Sequence, residues 1–346
     1  MRRSRVKVMA AVLTATTLLA ITSVGVGASA PSTKWGHARQ VIPIEIFGSS
    51  IVSGITAWLY YGNSAGIFQK YGFTLNVVSS AGLSAAVQAQ EIANGQVIIG
   101  NPAGPSLFAA RQSGANIVAF FSTTQVEPEA VLVRADSGIT TASQLAGKVI
   151  GISPTSTSAA DFPIFLQSVH LTEANMTIDN LSQAALTSSL IANKIQGALV
   201  FPYVIGPEVT AAGVAVHSIS FGTDPAFNQI YNAYSVSATW AHAHPALLRN
   251  IVKGFDAALA AARAHPIQAA QAEIAAQPLV APTLGVTTQQ VESFFKYIRS
   301  PNDTGKPYGW MSSVDWKLTE AFAKDHEGYT GNAAPTSVYT DKYFSS

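Results

Sequence analysis

The sequence predicts an α/β fold of two lobes, each a doubly wound sheet, with a ligand cleft between them. Three observations carry this reading. Short apolar β-branched runs alternate with Ala-rich helical stretches in the order βαβαβαβ between residues 41 and 122, the pattern of a parallel sheet covered by helices. A second series of the same kind and size runs from 132 to 223. The helical stretches stop at Gly72, Gly95 and Gly114, where a left-handed residue closes a last turn.

Taken in order, "VIPIEIFG" (41–48) is a strand and "SGITAWLYYGNSAGIFQKYG" a helix ending at Gly72. "FTLNVVSS" is a strand, "LSAAVQAQEIANG" a helix, "QVIIGN" a strand, "PSLFAARQSG" a helix and "ANIVAFFS" a strand. "EAVLVRADSGI" then crosses to the second series. There "TASQLAG" is a short helix capped by Thr141 or Ser143, and "KVIGIS" a strand, followed by a helix to about His170. "MTIDNLS", "IQGALVFP" and "GVAVHSIS" are strands, with the helix "AALTSSLIANK" between the first two. Beyond "YNAYSVSATWAHAH", Ala-rich helices cover 245–277 and 287–299, with Pro245 and Pro266 as first helical residues. The expected division is lobe 1 from 41–131 and 224–328, lobe 2 from 132–223, and a Gly-, Asn-, Pro- and Ser-rich tail over 329–346. The tail reads as a surface wrap or a loose end.

The first 30 residues form a separate unit. Arg2, Arg3, Arg5 and Lys7 precede an apolar stretch over 9–26, and Gly27-Ala28-Ser29-Ala30 follows. This is the layout of a secretory signal peptide cut after Ala28 or Ala30. Removing its four basic residues leaves 16 basic against 19 acidic, a net of −3. No basic surface for nucleic acid results. The chain has no cysteine, which excludes disulfides, thiol catalysis and a Cys-linked lipid anchor. A periplasmic or secreted protein without a lipid anchor is expected. Only 11% of residues are charged, and so few ionisable groups suit an acidic exterior.

In open α/β sheets, ligands sit beyond the carboxyl ends of the strands. Here those ends are Ser49 and Ser50, Ser80 to Gly82, Asn101 and Pro102, Ser122 and Thr123, Pro154 to Ser158, and Phe201 to Tyr203. They are rich in hydroxyls and amides and poor in charge, which favours holding a solute over reacting with it. The densest cluster is "SPTSTS" (153–158) before the helix "AADFPIFL". One hydroxyl there caps the helix; the others are free to meet a polar ligand atom at the helix N-terminus. Asp161 is the one nearby charge. Pointing into the cleft it would favour an amine or pyrimidine; pointing to solvent it would leave a sulfonate possible.

The chemical alternatives lack their residues. No G-x-S-x-G elbow, P-loop or dinucleotide fingerprint occurs. The seven His are scattered, and His242-x-His244 has no carboxylate close in sequence to complete a metal site. Glu127 and Glu129 lie in a segment that crosses between lobes, not in a glycosidase pair. No catalytic residue, metal or cofactor is expected.

At these residues the chain resembles the substrate-binding proteins of bacterial ABC importers of the nitrate/sulfonate/taurine and thiamine-precursor type. The likeness runs through "AGIFQKYGFTLNVV", "SSAGLSAAVQAQEIANGQVIIGNPAG", "VLVRADSGITTASQLAGKVIGISPTST" and "SSLIANKIQGALVFPYV", and spans about 41–260. It departs where the family often has Asp, at Val97-Ile98 and at Gln196. The resemblance implies a periplasmic-binding-protein-like fold that closes by a hinge, read near 131–134 and 217–223. It implies a small organic solute such as a sulfonate, taurine, nitrate or pyrimidine, and ABC permease and ATPase subunits as partners, with the protein a monomer. The expected ligand-binding residues are Ser49, Ser50, Ser80, Gly82, Asn101, Pro102, Thr155, Ser156, Thr157, Phe201 and Tyr203. An enzyme on the same fold, akin to pyrimidine synthases, and an extracellular sensor module are the alternatives.

Overall fold

A computed structural model describes residues 41–48, 53–80, 83–154, 156–224, 227–331 and 335–345. The expected signal peptide lies outside the described residues. Strand β1 (Ile42–Phe47) runs parallel to β2 (Phe73–Val78), with helices α1 (Ala57–Ser64) and α2 (Ile67–Lys70) between them. One helix was expected from 53 to 72. It breaks at Gly66, which adopts φ +68°, a left-handed conformation that costs glycine little. Asn63 at the end of α1 clasps β2, donating to Leu75 O at 2.7 Å and accepting from Leu75 N at 2.9 Å.

Helices α3 (Ala85–Ala93) and α4 (Gly104–Gln112) precede β3 (Ile117–Thr124). The expected strand over 96–101 shrinks to two bridges: Ile99 meets Ile46 of β1, and Gly100 meets Ser235 of β9 (Asn232–Ser237). These bridges join the β1–β2 pair to the antiparallel β3–β9 pair. Each residue of the pair faces a different neighbour, so no ladder can extend.

The second sheet has the order β6-β5-β7-β4-β8. Its members are β4 (Ala130–Arg134), β5 (Val149–Ile152), β6 (Thr177–Asn180), β7 (Gly197–Val200) and β8 (Val216–Ser220). Helices α5 (Thr157–Ser168), α6 (Gln183–Ile191) and α7 (Pro202–Ala211) connect them. β5 lies parallel to β6 and β7, whereas β4 is antiparallel to β7 and β8. The chain therefore crosses between sheets twice, over 125–129 and over 221–231. The hinge read at 131–134 and 217–223 falls largely inside β4 and β8. Those strands are paired from Ala130 opposite Ser220 to Arg134 opposite Val216, and Phe221 N donates to Glu129 O at 3.0 Å just beyond them.

After β9 come α8 (Ala238–Ala243), α9 (Pro245–Ala264), α10 (Pro266–Ala276), α11 (Leu284–Phe294), α12 (Ser313–His326) and α13 (Pro335–Val338). Leu248, Ile251, Val252, Phe255, Ala258, Leu259 and Ala262 form the buried stripe of α9, at the spacing of one helix face. Phe255 meets Trp58 at 5.0 Å and Phe68 at 5.9 Å between ring centroids, so the helix returns to the first sheet. The second sheet's core stacks Phe165 on Phe221 at 4.2 Å, and Phe322 of α12 reaches it through Phe227. The described part of the tail is packed: Tyr339 bridges Ala119 of β3, and Tyr343 is 1% exposed with its hydroxyl on Ala241 O. Among the described residues no helix is long and apolar enough to cross a membrane.

Candidate functional site

The carboxyl ends of both sets of strands face one cavity of about 800 Å³. On the first side, β1 ends at Phe47 and Gly48, and Ser80 after β2 donates its hydroxyl to Gly48 O at 2.7 Å. That bond ties two neighbouring strand ends into one rim. Asn101 and Pro102 lead into α4; Asn232 Nδ2 donates to Asn101 O at 3.1 Å, and Ala233 N to Pro102 O at 3.2 Å. On the second side stand Ser153 at the end of β5, Ser156 before α5, Gln183 at the start of α6, and Phe201 with Tyr203 at the start of α7.

Among the described residues six helices begin at this cavity. Its lining includes Thr56 before α1, Ser84 before α3, Ala103 before α4, Ser156 before α5, Gln183 opening α6 and Phe201 before α7. Three of them start alike: Ser84, Ser156 and Ser182 each accept the N–H of the third helical residue at 3.3 Å. One side-chain oxygen satisfies one of the orphan donors of a first turn and leaves others to a ligand. The aligned peptides also give each N-terminus a partial positive charge, roughly half a unit. Among the described residues no Lys, Arg, His, Asp or Glu lines the cavity. Its polar surface is hydroxyl, amide and backbone.

The rest is aromatic. Phe201 and Tyr203 stack at 5.8 Å with 11° between planes, and Tyr231 stands edge-on to Phe201 at 5.8 Å. Tyr203 meets Phe294 of α11 at 5.9 Å. Burial raises the phenols of Tyr203, Tyr231 and Tyr234, which stay neutral.

Of the expected site residues, Ser80, Asn101, Pro102, Ser156, Phe201 and Tyr203 all line this one cavity. Thr157 is the first residue of α5. Ser49, Ser50, Gly82 and Thr155 lie outside the described residues. In the hydroxyl cluster the cap is Ser156, which also donates to Ser153 O at 2.7 Å. Asp161 takes neither course foreseen for it. It points to the interior, 9% exposed, toward Glu129.

Sequence reasoning missed Thr56, Ser84, Gln88, Gln183, Tyr231, Asn232, Tyr234 and Phe294. Ser84 and Gln183 carried a signal, a serine directly before an Ala-rich helix. Tyr231, Asn232 and Tyr234 carried none, because β9 returns to the first sheet from the far end of the chain. Thr56 has support behind it: its hydroxyl donates to Glu273 Oε1 at 2.7 Å. Glu273 on α10 is wholly buried, and burial raises its carboxyl to about 8. Gln290 of α11 bridges the two sides, accepting from Gly54 N at 3.0 Å and donating to Val204 O at 2.9 Å.

The family model described as NMT1/THI5 like matches residues 55–269. The chain belongs to the NMT1/THI5-like family. The matched span holds most of the cavity of this NMT1/THI5-like chain, from Ile55 to Tyr234, but neither Phe294 nor the supporting Glu273 and Gln290. Solved structures share the fold. The periplasmic aliphatic sulphonate binding protein SsuA from Escherichia coli aligns over 84% of this chain and 87% of its own, with TM-score 0.62 and 15% identity. The alkanesulfonate-binding protein SsuA from Xanthomonas axonopodis pv. citri, bound to MOPS, aligns over 87% of this chain and 99% of its own, with TM-score 0.60 and 15% identity. The desulfurization enzyme DSZB aligns over 88% and 97%, with TM-score 0.60 and 15% identity. The fold is that of periplasmic binding proteins. No curated protein sequence matches the chain.

Proposed function

We propose that this protein is an exported solute-binding protein that captures a small organic molecule with an anionic head between two lobes and delivers it to an ABC importer. The observation that carries the reading is the cavity: among the described residues it has no charged lining side chain, yet six helix N-termini open onto it beside an aromatic wall. Helix termini and hydroxyls suit an oxyanion such as a sulfonate. The wall of Phe201, Tyr203 and Tyr231 suits its carbon part. Solved neighbours that hold sulfonates support the same class.

The expected boundary at 131 falls inside β4 (Ala130–Arg134), so the lobes are the two sheets with their helices, divided at the two crossings, and closure is a hinge motion there. The first 30 residues direct export to the periplasm or beyond, permease and ATPase subunits receive the solute, and the protein works as a monomer without a cofactor. We favour binding over catalysis although DSZB shares the fold. The chain has no cysteine, and no lining side chain described offers an acid or base that titrates near neutral pH.

The test is a melting-temperature screen of the mature protein with alkyl and aryl sulfonates, taurine, nitrate, pyrimidines and aromatic carboxylates, joined to native mass spectrometry of the freshly purified chain. A ligand at a hundred times its Kd adds about 2.7 kcal/mol to stability, a clear shift. No shift with any of them, or turnover of one, removes the proposal.

A further inference from the structure

Three buried carboxyl groups lie where the crossings meet, and solute binding as described uses none of them. Glu127 and Glu129 belong to the first crossing, Gln229 and Tyr231 to the second, and Asp161 with Ser158 to α5. Glu129 is wholly buried, Glu127 is 4% exposed. Tyr231 donates its hydroxyl to Glu129 Oε1 at 2.6 Å. Ser158 and Asp161 stand beside the Glu129 carboxyl, whose Oε2 has no hydrogen-bond partner among the described residues. Glu127 Oε1 accepts the backbone N–H of Glu129 at 2.7 Å, and its side chain meets Gln229.

The surroundings are all of one kind. Asp161 faces Glu327, which follows α12. Glu127 faces Tyr203 of α7 and Tyr297 beyond α11. Among the described residues no Lys, Arg or His acts on the three carboxyls, and no ion pair includes them. Nor do the described residues bring three His, Asp or Glu together as metal ligands. Carboxyls buried without a cation keep their protons, because burial penalises the charged form.

We propose that Glu129, acting through Tyr231, is a positioning residue of the binding cavity, and that the protons held by Glu127, Glu129 and Asp161 set how closely the two lobes approach. The inference rests on the solute-binding reading. Tyr231 lines the cavity, and its hydroxyl is bound to the first crossing through Glu129. Asp161 belongs to the helix whose cap, Ser156, stands across that cavity. One cluster thus joins both crossings and α5, the three pieces whose spacing fixes the cavity's width. Glu129 Oε1 accepts from Tyr231, and with protons bound Glu129 and Asp161 lie side by side without net charge. With the protons lost to water, like charges buried beside each other repel and push α5 from the crossings. Burial brings Glu129 to about 8 and Asp161 to about 7, so the change falls between mildly acidic and mildly basic pH.

The absence of cysteine allows a direct test. Spin labels on Gln90→Cys in α3 and Ser188→Cys in α6, both exposed, report the spacing of the lobes by electron–electron resonance in the ligand-free mature chain. The distance should lengthen from pH 5.5 to pH 8.5, and Glu129→Gln, which keeps the acceptor for Tyr231, should hold it short at both. Asp161→Asn is the second variant should the first fail to fold. Affinity for 1-butanesulfonate, whose charge is constant over this range, should fall at least tenfold at pH 8.5 in the parent and less than threefold in Glu129→Gln. Equal distances at both pH values, or the same lengthening in the folded variant, overturn the proposal. Binding of the sulfonate at neither pH counts against the solute-binding reading, and the ligand-free distances still decide this one.

Discussion

Gly104 is where a single methyl group tests the account of the cavity wall. It is the first residue of α4, and its N–H donates to Tyr231 O at 2.9 Å. A Cβ built there would lie 2.0 Å from the carbonyl oxygen of Ile230 and 3.1 Å from its carbon. Carbon–oxygen contacts rest at about 3.3 Å, so one backbone must retreat by roughly 1.3 Å. Two effects compete in Gly104→Ala. The helix gains up to about 1 kcal/mol from replacing glycine. Overpacking against backbone, which cannot rotate away, costs about 1–3 kcal/mol or more. The clash wins, and we expect a net loss of about 1–2 kcal/mol, a fall in Tm of about 2–6 °C. The retreat also moves Tyr231 and Asn232, so ligand affinity falls with it. Gly285→Ala is the control: nothing lies within 4 Å of its would-be Cβ, and it should be neutral or stabilising. Thermal unfolding followed by circular dichroism decides. If Gly104→Ala melts within about 1 °C of the parent, the close approach of α4 to the second crossing is wrong, and with it the position of this wall.

Three further outcomes follow from named contacts. Glu273 carries a raised folded-state carboxyl, about 8 against an ordinary 4.5. It therefore contributes stability that is full below pH 4.5 and lost as pH rises to about 8, at up to about 1.4 kcal/mol per pH unit; Glu273→Gln should flatten that slope in urea unfolding at pH 5 and pH 9, and an unchanged slope would refute its burial. Gln290→Leu leaves the Gly54 N–H and the Val204 carbonyl without their partner, which should lower stability by about 2–4 kcal/mol, read as a lower urea midpoint at constant slope. Phe201→Ala removes the ring stacked on Tyr203, and titration calorimetry with a solute found in the screen should show affinity reduced about tenfold or more.

The alternation of strands and helices was legible because each element carries its own period and its own stop. Gly72, Gly95 and Gly114 adopt positive φ of 85°, 72° and 91°, as the sequence reading expected. The rim of the cavity was legible for the same reason, since a strand's carboxyl end can be located without knowing its neighbours. What stayed hidden is pairing. "QVIIGN" looks like any central strand, but Ile99 and Gly100 meet different partners and form only bridges. "EAVLVRADSGI" was legible as the crossing to the second series, but not that its strand β4 would enter the middle of that sheet antiparallel to β7 and β8. Tyr231, Asn232 and Phe294 reach the cavity only because distant segments fold back, which no local pattern encodes.

Asp161 shows what such hidden pairing does to an inference about the ligand. From sequence alone the residue had two places to point, each with its own prediction for the solute's charge. It points to a third, among Glu129, Glu127 and Tyr231 of the crossings, where burial keeps it largely protonated below about pH 7. The one acidic side chain near the hydroxyl cluster is therefore withdrawn from the cavity and lends it little negative potential in mildly acidic surroundings. What remains at the lining is the positive end of six helices and a set of neutral dipoles, a field that favours an anion by modest, distributed terms. With no Arg or Lys to set a fixed charge at the lining, selectivity falls to geometry: how many N–H groups and hydroxyls converge on one oxyanion, and how well its carbon part lies along Phe201 and Tyr203. If the lobes close as proposed, closure controls both at once, and the protonation of the crossings would bear on affinity without any of its carboxyls lining the cavity.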